Sequence, residues 1–303
     1  YSCRSPQGLV QQGWKDSNDS IFHRDGELAE GPIALCEVQG YVYAAKRRAA
    51  RLASALGFDK QAGILQTQAR TLRERFEKAF WCEDLATYAL ALDGKKRPCR
   101  VRASNAGHCL HTGIASYEHA KQVTRTLLDE DFYSGWGIRT VSAREVRYNP
   151  MAYHNGSVWP HDNALIAQGM ARYGFHQAAA QILNGLFDAS IFMDSHRLPE
   201  LFCGFSRQPG QGPTLYPVAC SPQSWAAASV FMILEACLDL TIRGHRPLVL
   251  FRKTFLPQFL HRIEMRGLRA GDATVDLAVY RVREDIEVSV LGKQGEVRIV
   301  SVK

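Results

Sequence analysis

The chain has 303 residues, of which 46% are hydrophobic and 22% charged, with a net charge of +7. That length and balance fit a soluble globular protein with a sizeable core, and no apolar run is long enough to cross a membrane. The basic excess is scattered or lies on a helix face, as in Lys46-Arg47-Arg48 and Arg51, so a nucleic-acid partner is not expected.

Residues 1–12 lack the layout of a signal peptide, and the chain opens at Tyr1 without Met, so it reads as a segment of something longer. The eight cysteines (Cys3, Cys36, Cys82, Cys99, Cys109, Cys203, Cys220 and Cys237) form no C-x-x-C pair, and several sit in apolar helical runs. Free thiols in a reducing cytoplasm are therefore expected rather than a disulfide framework.

In chain order, the spacing predicts a helix over 32–56, with Pro32 in its first turn, Ile33, Leu35, Val38, Val42, Ala45, Ala49 and Leu52 as its stripe, and Gly57 just beyond. A second amphipathic helix is predicted over 60–80, with Leu65, Leu72, Phe76 and Phe80 facing inward. Residues 87–92 followed by Asp93-Gly94 read as a hairpin. Short helices follow at 105–112 and 117–128, then a pair at 162–173 and 176–192 broken at Gly174. Ser221-Pro222 is read as opening a long apolar helix that runs through Leu240. Beyond Gly244, period-two alternation at 275–280, 286–291 and 296–300 predicts a small β module.

Antiparallel helices joined by alternating long and short loops suggest a mainly α fold, an α/α toroid. The expected division is a catalytic helical domain over 1–243 and a β-rich module over 244–303. Too few helices precede Gly244 for six hairpins, so the barrel is expected to be incomplete at its N-terminus.

Two loops place carboxylates among aromatics and amides, as sugar sites do: 13–20, with Trp14, Lys15, Asp16 and Asp19, and 198–205, with Glu200. Six blocks occur in order: Trp14 to Ser20 with Leu28 to Tyr41, Ser104 to His108, Tyr153 to Asn163, Pro199 to Phe202, and Tyr216 to Ala226, the first pair counting separately. Together they resemble the bacterial amylo-α-1,6-glucosidase (glycogen-debranching) family. The resemblance implies a six-fold α/α barrel and an inverting glycosidase, a hydrolase of carbohydrate metabolism without cofactor or metal.

Carried onto these positions, it implies Asp16 as general acid and Glu200 as general base, with Asp19 the rival for the acid role. The expected substrate is an α-glucan or oligosaccharide bearing α-linked glucose, cleaved at the α-1,6 branch points of glycogen or a related α-glucan. The alternatives are another α-glycoside in the same barrel, or a fragment that binds carbohydrate without turnover. Trp14, Trp159 and Trp225 are candidate sugar platforms, and His154 and Asn155 candidate hydroxyl binders. Lys15, Asp19, Glu37, Gln39 and Asp162 complete the expected substrate-binding set, although Asp162 also suits a helix N-cap. A cation facing a general acid opposes its protonation, so Lys15 is expected to point away from Asp16 or to be offset by a substrate hydroxyl or a second carboxylate.

Overall fold

The computed structural model describes residues 1–2, 7–283 and 285–302, so Cys3 lies outside the described residues. Seven α-helices are found among them: α1 (Cys36–Ala55), α2 (Asp59–Phe80), α3 (Asn105–Thr112), α4 (Tyr117–Leu128), α5 (Pro160–Arg172), α6 (His176–Ser190) and α7 (Ser224–Leu238). Helices α1, α3, α5 and α7 pack side by side in that order, while α2, α4 and α6 each pack on the helix preceding them. The result is an arc of three helical hairpins and a seventh helix. Burial follows the layering. Helix α3 is buried around most of its circumference, as an inner helix must be. Helix α4 is amphipathic, burying Ala120, Val123, Thr124, Thr126 and Leu127 while Tyr117, Glu118, Lys121 and Arg125 are exposed.

The predicted first helix begins late. Pro32 and Ile33 lie in an extended lead-in, and Ala34–Leu35 form a strand (β1) paired with Ala91–Leu92. The buried face of α1 is Cys36, Glu37, Gly40, Tyr43 and Ala50, whereas Val42 and Leu52 of the expected stripe are exposed. The helix packs against α2 and α3 on two sides, so the face chosen by apolar periodicity alone was displaced. Likewise α7 starts at Ser224, capped by the Gln223 side chain, and stops at Leu238 before a strand; Ser221-Pro222 lies outside it. The Asp93-Gly94 turn does join a hairpin, between Ala91–Leu92 and Pro98–Cys99. The Asp93 carboxylate closes it by accepting from the backbone of Lys95 and Arg97 and from the Arg97 guanidinium.

After α7 come two three-stranded sheets. One orders Arg298–Val302, Leu248–Arg252 and Leu240–Arg243, with the first pair parallel; the other is an antiparallel meander of Arg262–Ala270, Ala273–Val282 and Asp285–Gln294. They share a core of Val249, Phe251, Val275, Leu277 and Val279 that reaches Leu238 of α7. Phe187 of α6 stacks on Phe259 at 4.1 Å between ring centroids, and Phe255 N–H donates to Cys237 C=O. All seven described cysteines are unpaired, and only Cys220 among them is exposed. No helix among the described residues is long and apolar enough to cross a membrane.

The contact between α3 and α5 is unusually close because glycines face each helix. A Cβ on Gly107 would lie 2.5 Å from Ile166 Cγ1, and one on Gly169 would lie 2.5 Å from the His111 backbone nitrogen. Gly169→Ala should therefore destabilise the fold by about 1–3 kcal/mol, although alanine is the better helix former. Urea unfolding measures this; a variant as stable as the parent would contradict the close packing.

Candidate active site

The loop 13–20 runs across the N-terminal ends of α3 and α5. Its two residues before Asp16 turn inward. Lys15 is fully buried, and its ammonium donates to the Thr140 carbonyl at 2.6 Å. Burial pushes its pKa down to about 8, opposed by the nearby charges of Asp162 and Glu37. Lys15 thus points into the fold toward those two carboxylates, while the Asp16 side chain is about half exposed. The difficulty posed by a cation next to a general acid is relieved by opposite side-chain directions.

Trp14 lies in a nest of rings. It stacks on His108 at 5.9 Å and meets His154, Trp159 and His161 edge-on at 5.6, 5.6 and 5.0 Å. Trp159 is buried at 1% exposure, with its indole N–H donating to Tyr153 C=O. It has no open face for a sugar, which corrects its expected role as a platform; it braces the loop that carries Tyr153 and His154. Trp225, by contrast, is 40% exposed and stacks on His161 at 4.0 Å.

Glu200 is held on a short ladder in which Val158 pairs with Phe202 and Phe202 with Leu215. Its two carboxyl oxygens accept separately, from the Tyr153 hydroxyl at 2.9 Å and from the Cys220 backbone N–H at 3.2 Å. Tyr153 is hydrogen-bonded to Glu200 and feels the charge of Asp16. Its phenol is held above the ordinary range by burial, then by its bond to Glu200 and the charges of Glu200 and Asp16. Asp16 approaches His154 Nδ1 at 3.9 Å. Burial, with Lys15 adding, pushes the His154 pKa down to about 3, so this approach is a contact rather than an ion pair. The same nitrogen lies 2.7 Å from Ser17 Oγ, which fixes the loop beyond Asp16.

The remaining expected residues divide. Asn155 donates to both the backbone carbonyl and the carboxylate of Asp19 at 3.1 Å, so Asp19 is tied to the loop wall. Asp162 lies inside the first turn of α5 rather than at its cap, and is fully buried. Burial alone would raise its pKa, but the bond from His108 and the charges around it hold it below the ordinary carboxylate range. Glu37 is buried beside the loop, and burial raises its pKa. Gln39 is not brought to this cluster: its amide donates to Leu35 C=O just before its own helix, and it lines a separate 430 Å³ cleft with Tyr1 and Lys96. Among the described residues, Trp14 Nε1, Glu37 Oε1, Asp162 Oδ2 and the Asn105 amide are buried without a hydrogen-bond partner. Such a concentration of unsatisfied polar atoms marks a functional region. Tyr153, His108 and His161 were missed as site residues, although all three stand inside the blocks that carried the resemblance.

The sequence profile of the Mannosylglycerate hydrolase MGH1-like glycoside hydrolase domain matches residues 9–199, which include Asp16 and most of the aromatic nest. The chain belongs to this family. The match upholds the six-hairpin glycosidase class expected from the motifs without reaching amylo-α-1,6-glucosidase in particular. Mannosylglycerate hydrolase MGH1 of Selaginella moellendorffii is 34% identical over 84 residues, covering 26% of this chain and 17% of that protein. Among solved structures, a sialidase aligns over 95% of this chain and 28% of its own, with a TM-score of 0.71 and 12% identity. The GH63 mannosylglycerate hydrolase of Thermus thermophilus, in complex with glucose, aligns over 66% of this chain and 45% of its own, with a TM-score of 0.52 and 18% identity. The matches thus span less than half of each relative's length. At these identities the structural matches establish the fold alone, which is that of the α/α-toroid glycosidases.

The buried histidines of this family member set its response to acid. His154, His161 and His111 have pKa values lowered by burial to about 3, 4 and 4, against about 6.5 in an unfolded chain. As pH falls below about 6.5 the unfolded state takes up these protons first, so their contribution to stability is lost progressively down to about pH 4. The thermal midpoint should drop steadily on acidification across that window. A midpoint that rises there would contradict the buried, neutral state of these rings.

Proposed function

We propose that the chain carries the acid and base of an inverting glycoside hydrolase acting on α-glycosides. The observation that carries this reading is the unlike setting of the two carboxylates, one held by two donors and the other half exposed. Glu200 has each oxygen engaged by a donor, from Tyr153 and Cys220, so its carboxyl is held in one orientation. Asp16 stands half exposed beside His154, where a departing oxygen can reach it. In the reaction, Glu200 takes a proton from water as the water oxygen attacks the anomeric carbon. The glycosidic bond breaks on the opposite face, and Asp16 gives its proton to the leaving oxygen. Inverting pairs stand about 6.5–9.5 Å apart to admit that water.

Trp225 supplies the exposed ring on which a pyranose stacks. Asp19 and Asn155 hold the shape of the loop, and Lys15, Glu37 and Asp162 form the charged floor beneath it. For the substrate, the family match supports a short α-glycoside, in keeping with relatives named mannosylglycerate hydrolases. The ordered sequence blocks favour a second reading, the α-1,6 glucosyl stub of a branched α-glucan.

Asp16→Asn and Glu200→Gln should each lower kcat by about 10²–10⁴-fold while leaving the thermal midpoint close to that of the parent. Near-normal turnover in either variant would remove that residue from the mechanism. A panel of α-mannosylglycerate, α-1,6-, α-1,4- and α-1,1-linked glucosides separates the two substrate readings; preference for the α-1,6 glucan would overturn the first.

A further inference from the structure

Behind the loop that carries Asp16, a hydrogen-bonded chain runs from the surface inward. The Tyr41 hydroxyl of α1 lies 2.5 Å from His108 Nδ1, and His108 Nε2 lies 2.6 Å from Asp162 Oδ1. Tyr41 is 38% exposed, whereas His108 and Asp162 are fully buried. The phenol, held far above its ordinary pKa by burial and by the charges of Glu37 and Asp162, keeps its proton and donates. The Asp162 carboxylate accepts. Between them the imidazole carries its proton on Nε2, so its tautomer and its ring plane are both fixed.

Two residues of the loop rest on this pair. The Trp14 ring stacks on His108 with 12° between planes. Lys15 is an electrostatic neighbour of Asp162, whose charge raises the lysine pKa against the effect of burial. Trp14 and Lys15 immediately precede Asp16. The three elements that supply the chain (α1, α3 and α5) are held together independently of the loop, so the pair is a fixed support.

We propose that Tyr41, His108 and Asp162 are positioning residues, which hold the loop 13–20 and thereby set the Asp16 carboxyl across from Glu200. This rests on the acid role given to Asp16. Removing the Tyr41 hydroxyl frees the imidazole to rotate or change tautomer, which loosens its contact with Trp14 and displaces Asp16. A general acid out of place slows the loss of a poor leaving group and leaves a good one almost unaffected, because the latter needs no proton.

The test compares Tyr41→Phe and His108→Gln with the parent in two measurements on the whole chain. Tyr41→Phe keeps the ring and removes one atom, so it preserves the fold even where His108→Gln does not. In amide hydrogen exchange, residues 13–20 should exchange up to about tenfold faster in Tyr41→Phe, with residues 273–294 of the β meander unchanged. In kinetics, hydrolysis of an alkyl α-glycoside should fall by up to about tenfold while hydrolysis of the matching α-glycosyl fluoride stays near the parent rate. Unchanged exchange in the loop, or an equal rise in the β meander, overturns the proposal, as does an equal fall on both substrates. Asp16→Asn run on the same two substrates separates the readings. If it slows neither, the acid role fails, and the exchange result alone decides whether the chain holds the loop.

Discussion

The site is organised by the burial of a lysine. An ammonium taken out of water costs several kcal/mol unless charge and hydrogen bonds offset it. Lys15 finds those offsets only where α1, α3 and α5 converge: the Thr140 carbonyl, with Glu37 and Asp162 as electrostatic neighbours. That convergence in turn requires the close contact of α3 with α5, which the glycines at 107 and 169 allow. The helical arc, the direction of Lys15 and the outward direction of Asp16 are therefore one arrangement. A lysine facing the other way would leave two buried carboxylates without that cation and would place it beside Asp16.

A second constraint is aromatic. Trp14, His108, His154, Trp159, His161 and Trp225 form a continuous layer of ring contacts. It excludes water from the underside of the loop and holds His154 and His161 neutral. The ladder of Val158, Phe202 and Leu215 then delivers Glu200 to the edge of that layer from a separate part of the chain. The loop that carries Asp16 is thus fixed by buried charge and rings, and Glu200 by backbone pairing and its bond from Tyr153.

How much of this was legible in the sequence depended on the range of the interactions. Helices α3 and α4 were placed to the residue, because a glycine in left-handed conformation at 113 and a Ser116 cap that accepts from the His119 N–H mark their ends locally. The start of α1 was not, since Ile33 and Leu35 fit a helical stripe equally well, and only the later hairpin at 91–99 draws Ala34 and Leu35 into a strand. The two candidate carboxylates stood out by their loop surroundings, and the ordered sequence blocks gave them their expected roles. The inward turn of Lys15 was invisible because its hydrogen-bond partner lies 125 residues away. His108 was missed for the same reason: Asp162 and Tyr41 stand 54 and 67 residues from it. Gln39 was over-assigned, since a polar residue inside an apolar helix can satisfy its amide on a carbonyl one turn earlier.

The most direct test of the mechanism is the anomeric configuration of the first product, followed by proton NMR during hydrolysis of an α-glycoside and before mutarotation. Water drawn by Glu200 to the face opposite the leaving group should give the β-anomer first, with the α-anomer appearing only at the rate of spontaneous mutarotation. Initial release of the α-anomer would mean net retention, and would contradict the assignment of Asp16 and Glu200 as an inverting acid and base.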